Sequence, residues 1–249
     1  MTGTVVSVWG SPNAGKTTFA TKLSAAFYER FGKTVIVLYS DYETPVLPVI
    51  FPNFKEHLAS VGTALSKVEV RQDDVLGCLN TVKGKQNLGF LGFGAGENQR
   101  TFPRFERNKA EDLLDTLRSM ADIVVVDCVS NLEHNILAAT AMETADWVFR
   151  LASPDLKSVS WYLSQLPVYS DKKYRCDLHI QGINVPNADL NMPVDELQAH
   201  MKRVNFLIPY SSSVKAQMQE GRLYLKSTDR AFEICMSQIA ERVVQHGTV

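Results

Sequence analysis

Hydrophobic and polar positions follow two rhythms along this chain. Short runs of aliphatic and β-branched residues read as strands: TVVSVWG (4–10), TVIVLYSD (34–41), NLGFLGF (87–93), DIVVVDC (122–128), WVFRLAS (147–153), DLHIQGIN (177–184) and NFLIPY (205–210). Between some of them the apolar spacing changes to three and four. TTFATKLSAAFYERF (17–31) predicts a helix with Phe19, Leu23, Ala26 and Phe27 inward, ending at Gly32. KAEDLLDTLRSMA (109–121) predicts another, with Leu113, Leu114 and Leu117 buried. From Asp229 to His246 the pattern is amphipathic, with Phe232, Met236, Ile239 and Val243 on one side.

Strands that are apolar throughout, separated by helices, belong to a parallel sheet covered on both faces. The expected fold is therefore α/β, a mostly parallel sheet in a Rossmann-like three-layer arrangement. No linker, repeat or low-complexity tract divides the chain, so residues 1–249 are expected to form one domain. Ligands of such sheets sit at the carboxyl ends of the strands. Here the strands end in Gly10, Asp41, Asp127, Asn184 and Pro209-Tyr210, which should collect along one edge.

Composition narrows the classes. Of 249 residues 45% are hydrophobic, enough for a sizeable core, and the formal net charge of −1 gives no global pull toward nucleic acid. Cys78, Cys128, Cys176 and Cys235 form no C-x-x-C pair and read as reduced thiols of a cytoplasmic protein. No apolar run approaches the roughly 20 residues of a membrane helix, and the N-terminus lacks a signal-peptide pattern. The terminal helix is expected to pack on the sheet rather than insert into a bilayer. The five histidines show no metal spacing. Lys83, Lys85, Arg100, Arg104, Arg107 and Lys109 make the middle locally basic, consistent with a solvated face or with non-specific DNA contact. GFGAGENQR (92–100) lacks the G-x-x-G spacing of a dinucleotide fingerprint and reads as a flexible loop near the switch.

The candidate chemistry begins after the first strand. GSPNAGKTT carries the G-x-x-x-x-G-K-T spacing at Gly10, Gly15, Lys16 and Thr17. Glycines allow a tight loop whose N–H groups point inward, and the following helix presents its positive end to phosphates. Gly10, Ser11, Asn13, Ala14, Gly15, Lys16, Thr17 and Thr18 are the expected phosphate cradle. Lys16 neutralises the β/γ-phosphates and the Thr17 hydroxyl ligates Mg²⁺. The matching carboxylate is Asp127, at the end of IVVVD as in a Walker B strand, holding the metal through water. Asp41 ends the second strand and would orient the attacking water or a metal-bound one. The run after Asn184 lacks the Lys-x-Asp spacing of guanine readers, which favours ATP, with Asn184 at the base edge and Pro209-Tyr210 walling it.

These residues resemble the MinD/ParA branch of the phosphate-loop ATPases over nearly the whole chain. The resemblance is carried by GSPNAGKTT, by KTVIVLYSD and by DIVVVDCVSN. METADWVFRLASPDLKSV and FLIPYSSSVKAQMQEGRLY carry it further, because generic phosphate-loop proteins lack them. It implies ATP and ADP as ligands and a nucleotide-dependent homodimer. It also implies slow hydrolysis that resets the dimer, and partner proteins through which a cargo is positioned.

The departure lies at Ser11. Most of the family carries there a signature lysine that reaches the partner subunit's phosphates. Serine is uncharged and about 4 Å shorter, and Pro12 has no N–H to donate. In this the chain is similar to the atypical TadZ/CpaE-type members. Two other readings stay open on sequence: an ATP-dependent small-molecule ligase of the dethiobiotin-synthase type, and a non-hydrolysing scaffold.

Overall fold

The computed structural model describes residues 2–52, 58–185, 187, 192–201 and 203–246. The strands are β1 (Thr4–Gly10), β2 (Val35–Tyr39), β3 (Asn80–Val82), β4 (Lys85–Leu91), β5 (Ile123–Asp127), β6 (Trp147–Ala152), β7 (Ile180–Asn184) and β8 (Phe206–Ile208). They form one sheet in the order β3-β4-β2-β5-β1-β6-β7-β8. Every pairing is parallel except that of β3 with β4. The helices are α1 (Lys16–Phe31), α2 (Leu47–Ile50), α3 (Val61–Leu65), α4 (Gln72–Gly77), α5 (Arg107–Met120), α6 (Ile136–Thr144), α7 (Leu156–Gln165), α8 (Val194–His200), α9 (Ser212–Gln219) and α10 (Arg230–His246).

The strands looked uniformly apolar because both faces of the sheet are buried. Val5, Trp9, Ile36, Leu38, Val124 and Val126 join one core with residues of α5, α6 and α7. Their strand neighbours Val6, Val8, Val35, Val37 and Val125 join the other core, with α1 and α10. The expected three-layer α/β arrangement is the observed one.

The register positions the site. β1 lies between β5 and β6, with Val8 opposite Asp127 and Gly10 opposite Leu151. On its other side Asp127 stands opposite Tyr39, the last residue of β2. The carboxyl ends of β1, β2 and β5 thus meet at one edge, as the sequence pattern predicts.

Two features lie beyond that pattern. β3 folds back antiparallel on β4, pinned by Asn80, whose amide donates to the carbonyls of Ala59, Cys78 and Phe90. α6, ILAATAMET, is apolar nearly all round, so its sequence gives no amphipathic rhythm. Asn135 caps it, accepting from the N–H of Ala138.

Candidate nucleotide-binding site

The phosphate-loop residues fold as their spacing requires. Gly10 leaves β1 at φ 145°, and a Cβ there would lie 2.0 Å from the Leu151 carbonyl oxygen. Ser11 N donates to that same oxygen at 3.0 Å. Asn13 adopts a left-handed conformation, φ 61°, and its carbonyl accepts from Ser153 Oγ at 3.2 Å. Gly15, also left-handed at φ 75°, caps α1. Among the described residues no side chain caps the first N–H groups of α1, and its first turn carries no acid. The positive end of a 16-residue helix is therefore left for an anion.

Lys16, Thr17 and Asp127 converge beside this loop. Thr17 Oγ1 donates to Asp127 Oδ2 at 2.6 Å. Lys16 Nζ donates to the Ser11 carbonyl at 3.0 Å and to Ser130 Oγ at 2.6 Å. Burial pushes the Asp127 carboxyl up from 3.8 to about 6, against the Thr17 hydrogen bond and the Lys16 charge that favour ionisation. Burial likewise holds the Lys16 ammonium below its usual value, with Asp127 as the largest opposing influence. A hydroxyl and a carboxylate 2.6 Å apart form a hard-oxygen donor set that suits Mg²⁺, whose remaining positions go to phosphate and water. Among the described residues no cluster of three or more His, Cys, Asp or Glu side chains offers an all-protein metal cage.

The other expected site residues are placed as follows. Asp41 lies close enough to influence both Lys16 and Asp127 electrostatically. Its Oδ1 accepts from the N–H groups of Glu43 and Thr44, forming a turn. Asn184 lies against the phosphate loop: its Nδ2 is 2.4 Å from where a Gly15 Cβ would stand. Ala14 is buried, and Thr18 lies in the first turn of α1. Pro209 and Tyr210 follow β8; Pro209 lines a groove of about 660 Å³ along β8 and α10 with Val185, Phe206 and Cys235.

Ser11 does not point outward. It is fully buried, and its hydroxyl bonds Ser158 Oγ on α7 at 2.7 Å. Ser158 Oγ also accepts from Ser153 N, so the hydroxyl pair ties the phosphate loop to α7. Sequence reading missed Ser158 and Ser130. The one available signal for Ser130 was a hydroxyl residue three positions past Asp127, in DCVS.

The loops after Asp41 and Asp127 line a second groove of about 1240 Å³, the first through Tyr42 and Glu43 and the other through Leu132, Glu133 and His134. Phe93, Phe102 and Phe105 add aromatic surface. Asn98 and Gln99, from the 92–100 segment read as a loop, also line the groove. Three basic residues of the middle segment are engaged within the protein. Lys85 pairs with Glu29 on α1, Arg107 pairs with Glu111 and Glu143, and Lys109 Nζ caps the Lys67 carbonyl.

No protein-family model matches the chain. Over 151 residues it is 26% identical to an uncharacterized ATP-binding protein of Methanocaldococcus jannaschii, an alignment spanning 61% of this chain and 53% of that one. The chain thus matches about half the length of this curated relative. Solved structures match nearly end to end. The septum site-determining protein MinD of Pyrococcus horikoshii, complexed with Mg-ADP, superposes with TM-score 0.71 at 18% identity, covering 97% of this chain and 96% of that one. A ParA-family ATPase of Chlorobium tepidum gives TM-score 0.74 at 14% identity, covering 96% and 98%. The fold is the one that these MinD and ParA-family structures have.

Proposed function

We propose that this protein is an ATP-dependent switch that holds Mg-ATP at the phosphate loop, hydrolyses it slowly and dimerises with it to position a cargo through partner proteins. The observation that carries this reading is the convergence of Thr17, Asp127 and Lys16 at the start of α1, where the capping residue Gly15 offers no side chain. The Mg-ADP bound to the similar MinD fold and the ATP-binding character of the archaeal relative support it. In this reading the loop N–H groups and Lys16 hold the phosphates. Thr17 directly, and Asp127 through water, hold Mg²⁺, which when bound neutralises phosphate charge. Asp41 orients water from the carboxyl end of β2, with its second oxygen, since Oδ1 is engaged in its turn. Asn184, beside Gly15, is the candidate for the base side of the pocket. Because Ser11 is buried against Ser158, the charge that crosses between subunits in this family does not come from the phosphate loop here. The engagement of Lys85 and Arg107 in ion pairs within the protein argues for a protein surface rather than DNA as the partner.

Calorimetry and size-exclusion chromatography test the reading. Wild-type protein is expected to bind Mg-ATP, and Lys16→Ala to lose binding by at least about tenfold, the equivalent of one charge-assisted hydrogen bond. Undiminished affinity in that variant sinks the assignment. ATP, but not ADP, is expected to shift the eluting species to a dimer; a monomer under all nucleotides rules out the switch.

A further inference from the structure

The segment that leads from β6 into α7, LASPDLKS (151–158), holds the phosphate loop from outside. The Leu151 carbonyl accepts from Ser11 N at 3.0 Å. Ser153 Oγ donates to the Asn13 carbonyl at 3.2 Å. Ser158 Oγ bonds Ser11 Oγ at 2.7 Å. Ser158 is itself fixed: its N–H donates to Oδ1 of Asp155, the cap of α7, at 2.7 Å, and its Oγ accepts from Ser153 N at 3.1 Å. Ser11 and Ser158 are both fully buried, so bulk water does not compete for the bond between them. The Ser11 carbonyl in turn accepts from Lys16 Nζ at 3.0 Å and from Ala14 N at 3.3 Å. The placement of the phosphate-loop lysine therefore depends on where Ser11 is held.

Such a loop needs holding. Asn13 is a non-glycine residue at φ 61°, between Gly10 and Gly15, which also have positive φ. An unsupported chain rarely adopts that run of conformations. A ligand's apparent affinity scales with the fraction of molecules whose site is already formed. Bonds that form the site in advance therefore raise affinity without touching the ligand. We propose, building on the nucleotide site described above, that Ser158 is a positioning residue for the phosphates. Through Ser11 it sets the loop backbone and the carbonyl on which Lys16 rests, before any ligand arrives. It serves di- and triphosphates alike, because its bond is to the loop and not to the terminal phosphate. Ser158→Ala takes this partner from the buried Ser11 hydroxyl and from the Ser153 N–H.

The test uses the full chain as wild type, Ser11→Ala, Ser158→Ala and the double variant. Affinities for Mg-ADP and for a non-hydrolysable Mg-ATP analogue are measured by calorimetry, and amide hydrogen exchange is followed in the ligand-free proteins. Each single variant is expected to bind both nucleotides about fivefold more weakly, the equivalent of one neutral hydrogen bond. The double variant should be no weaker than either single one, because both substitutions remove the same bond. Exchange of the loop amides from Ser11 to Gly15 should quicken in all three variants while that of α10 stays as in the wild type. A merely structural role would instead speed exchange in α10 in step with the loop, and that result overturns the proposal. So does a double variant weakened by the product of the single losses, about 25-fold, which would make the two serines independent. If the wild type binds both nucleotides and Ser158→Ala binds them equally well, the Ser158 role is overturned while the nucleotide site stands. If the wild type binds neither, the nucleotide site itself falls and this role with it.

Discussion

His179 shows what burial does to a single side chain in this fold. It is 5% exposed and lies just before β7, with Nε2 2.7 Å from the Tyr174 carbonyl and Nδ1 without a partner. The neutral ring fits that environment with its proton on Nε2, donating to the carbonyl. Burial, reinforced by the Arg150 charge, depresses its pKa from 6.5 to about 4. As pH falls below 6.5 the unfolded chain takes up a proton that the folded chain refuses. The stability contributed by the neutral ring is complete above 6.5 and is lost progressively as pH falls toward 4. Between pH 7.5 and pH 5 this amounts to about 2 kcal/mol. Urea midpoints should therefore fall less between those pH values in His179→Gln than in the wild type; equal declines would show that His179 is not the group responsible.

Among the elements, α10 gives the sharpest test of how sequence pattern becomes packing. Phe232, Met236, Ile239, Ala240 and Val243 are buried in the core shared with α1. Ile234, on the other side of the same helix, is 47% exposed. Phe232→Ala and Met236→Ala are expected to cost about 2–5 kcal/mol each by the cavities they leave, and Ile234→Ala less than about 1 kcal/mol. Equal costs at the buried and exposed positions, measured by denaturant unfolding, would contradict this placement. This helix was legible because its apolar spacing is regular over seventeen residues. β1, β2, β5 and α1 were legible for the same reason, and they carry Lys16, Thr17 and Asp127. α6 was not legible, since its nine residues are mostly small or apolar and set no clear period. β3 was not, because NTV owes its place to Asn80 hydrogen bonds that no periodicity records. Ser158 and Ser130 escaped for a related reason. Each acts through a partner more than a hundred positions away in the chain, and only the folded sheet brings them together.

At the scale of the whole molecule, the site belongs to neither core alone. Lys16 and Thr17 ride on α1, which packs in one core; Ser158 rides on α7, whose Val159, Trp161 and Tyr162 pack in the other. Asp127 ends β5, which separates the two. A ligand that ties these groups together must be released before either core can open, so in the proposed function nucleotide binding reads out as global stability. A ligand at a hundred times its dissociation constant adds about 2.7 kcal/mol. For a chain of this size that is roughly 5–10 °C in the unfolding temperature. Removing Mg²⁺ with a chelator should shrink the shift, because Thr17 and Asp127 then face the phosphates without the cation. The Asp127 carboxylate in particular, already pushed up to about 6 by burial, gains nothing from an approaching anion. If ATP also brings two copies together, the unfolding temperature with Mg-ATP should rise further with protein concentration, whereas that with Mg-ADP should not. A concentration-independent shift of the same size for both nucleotides would leave a binding site and remove the dimer switch.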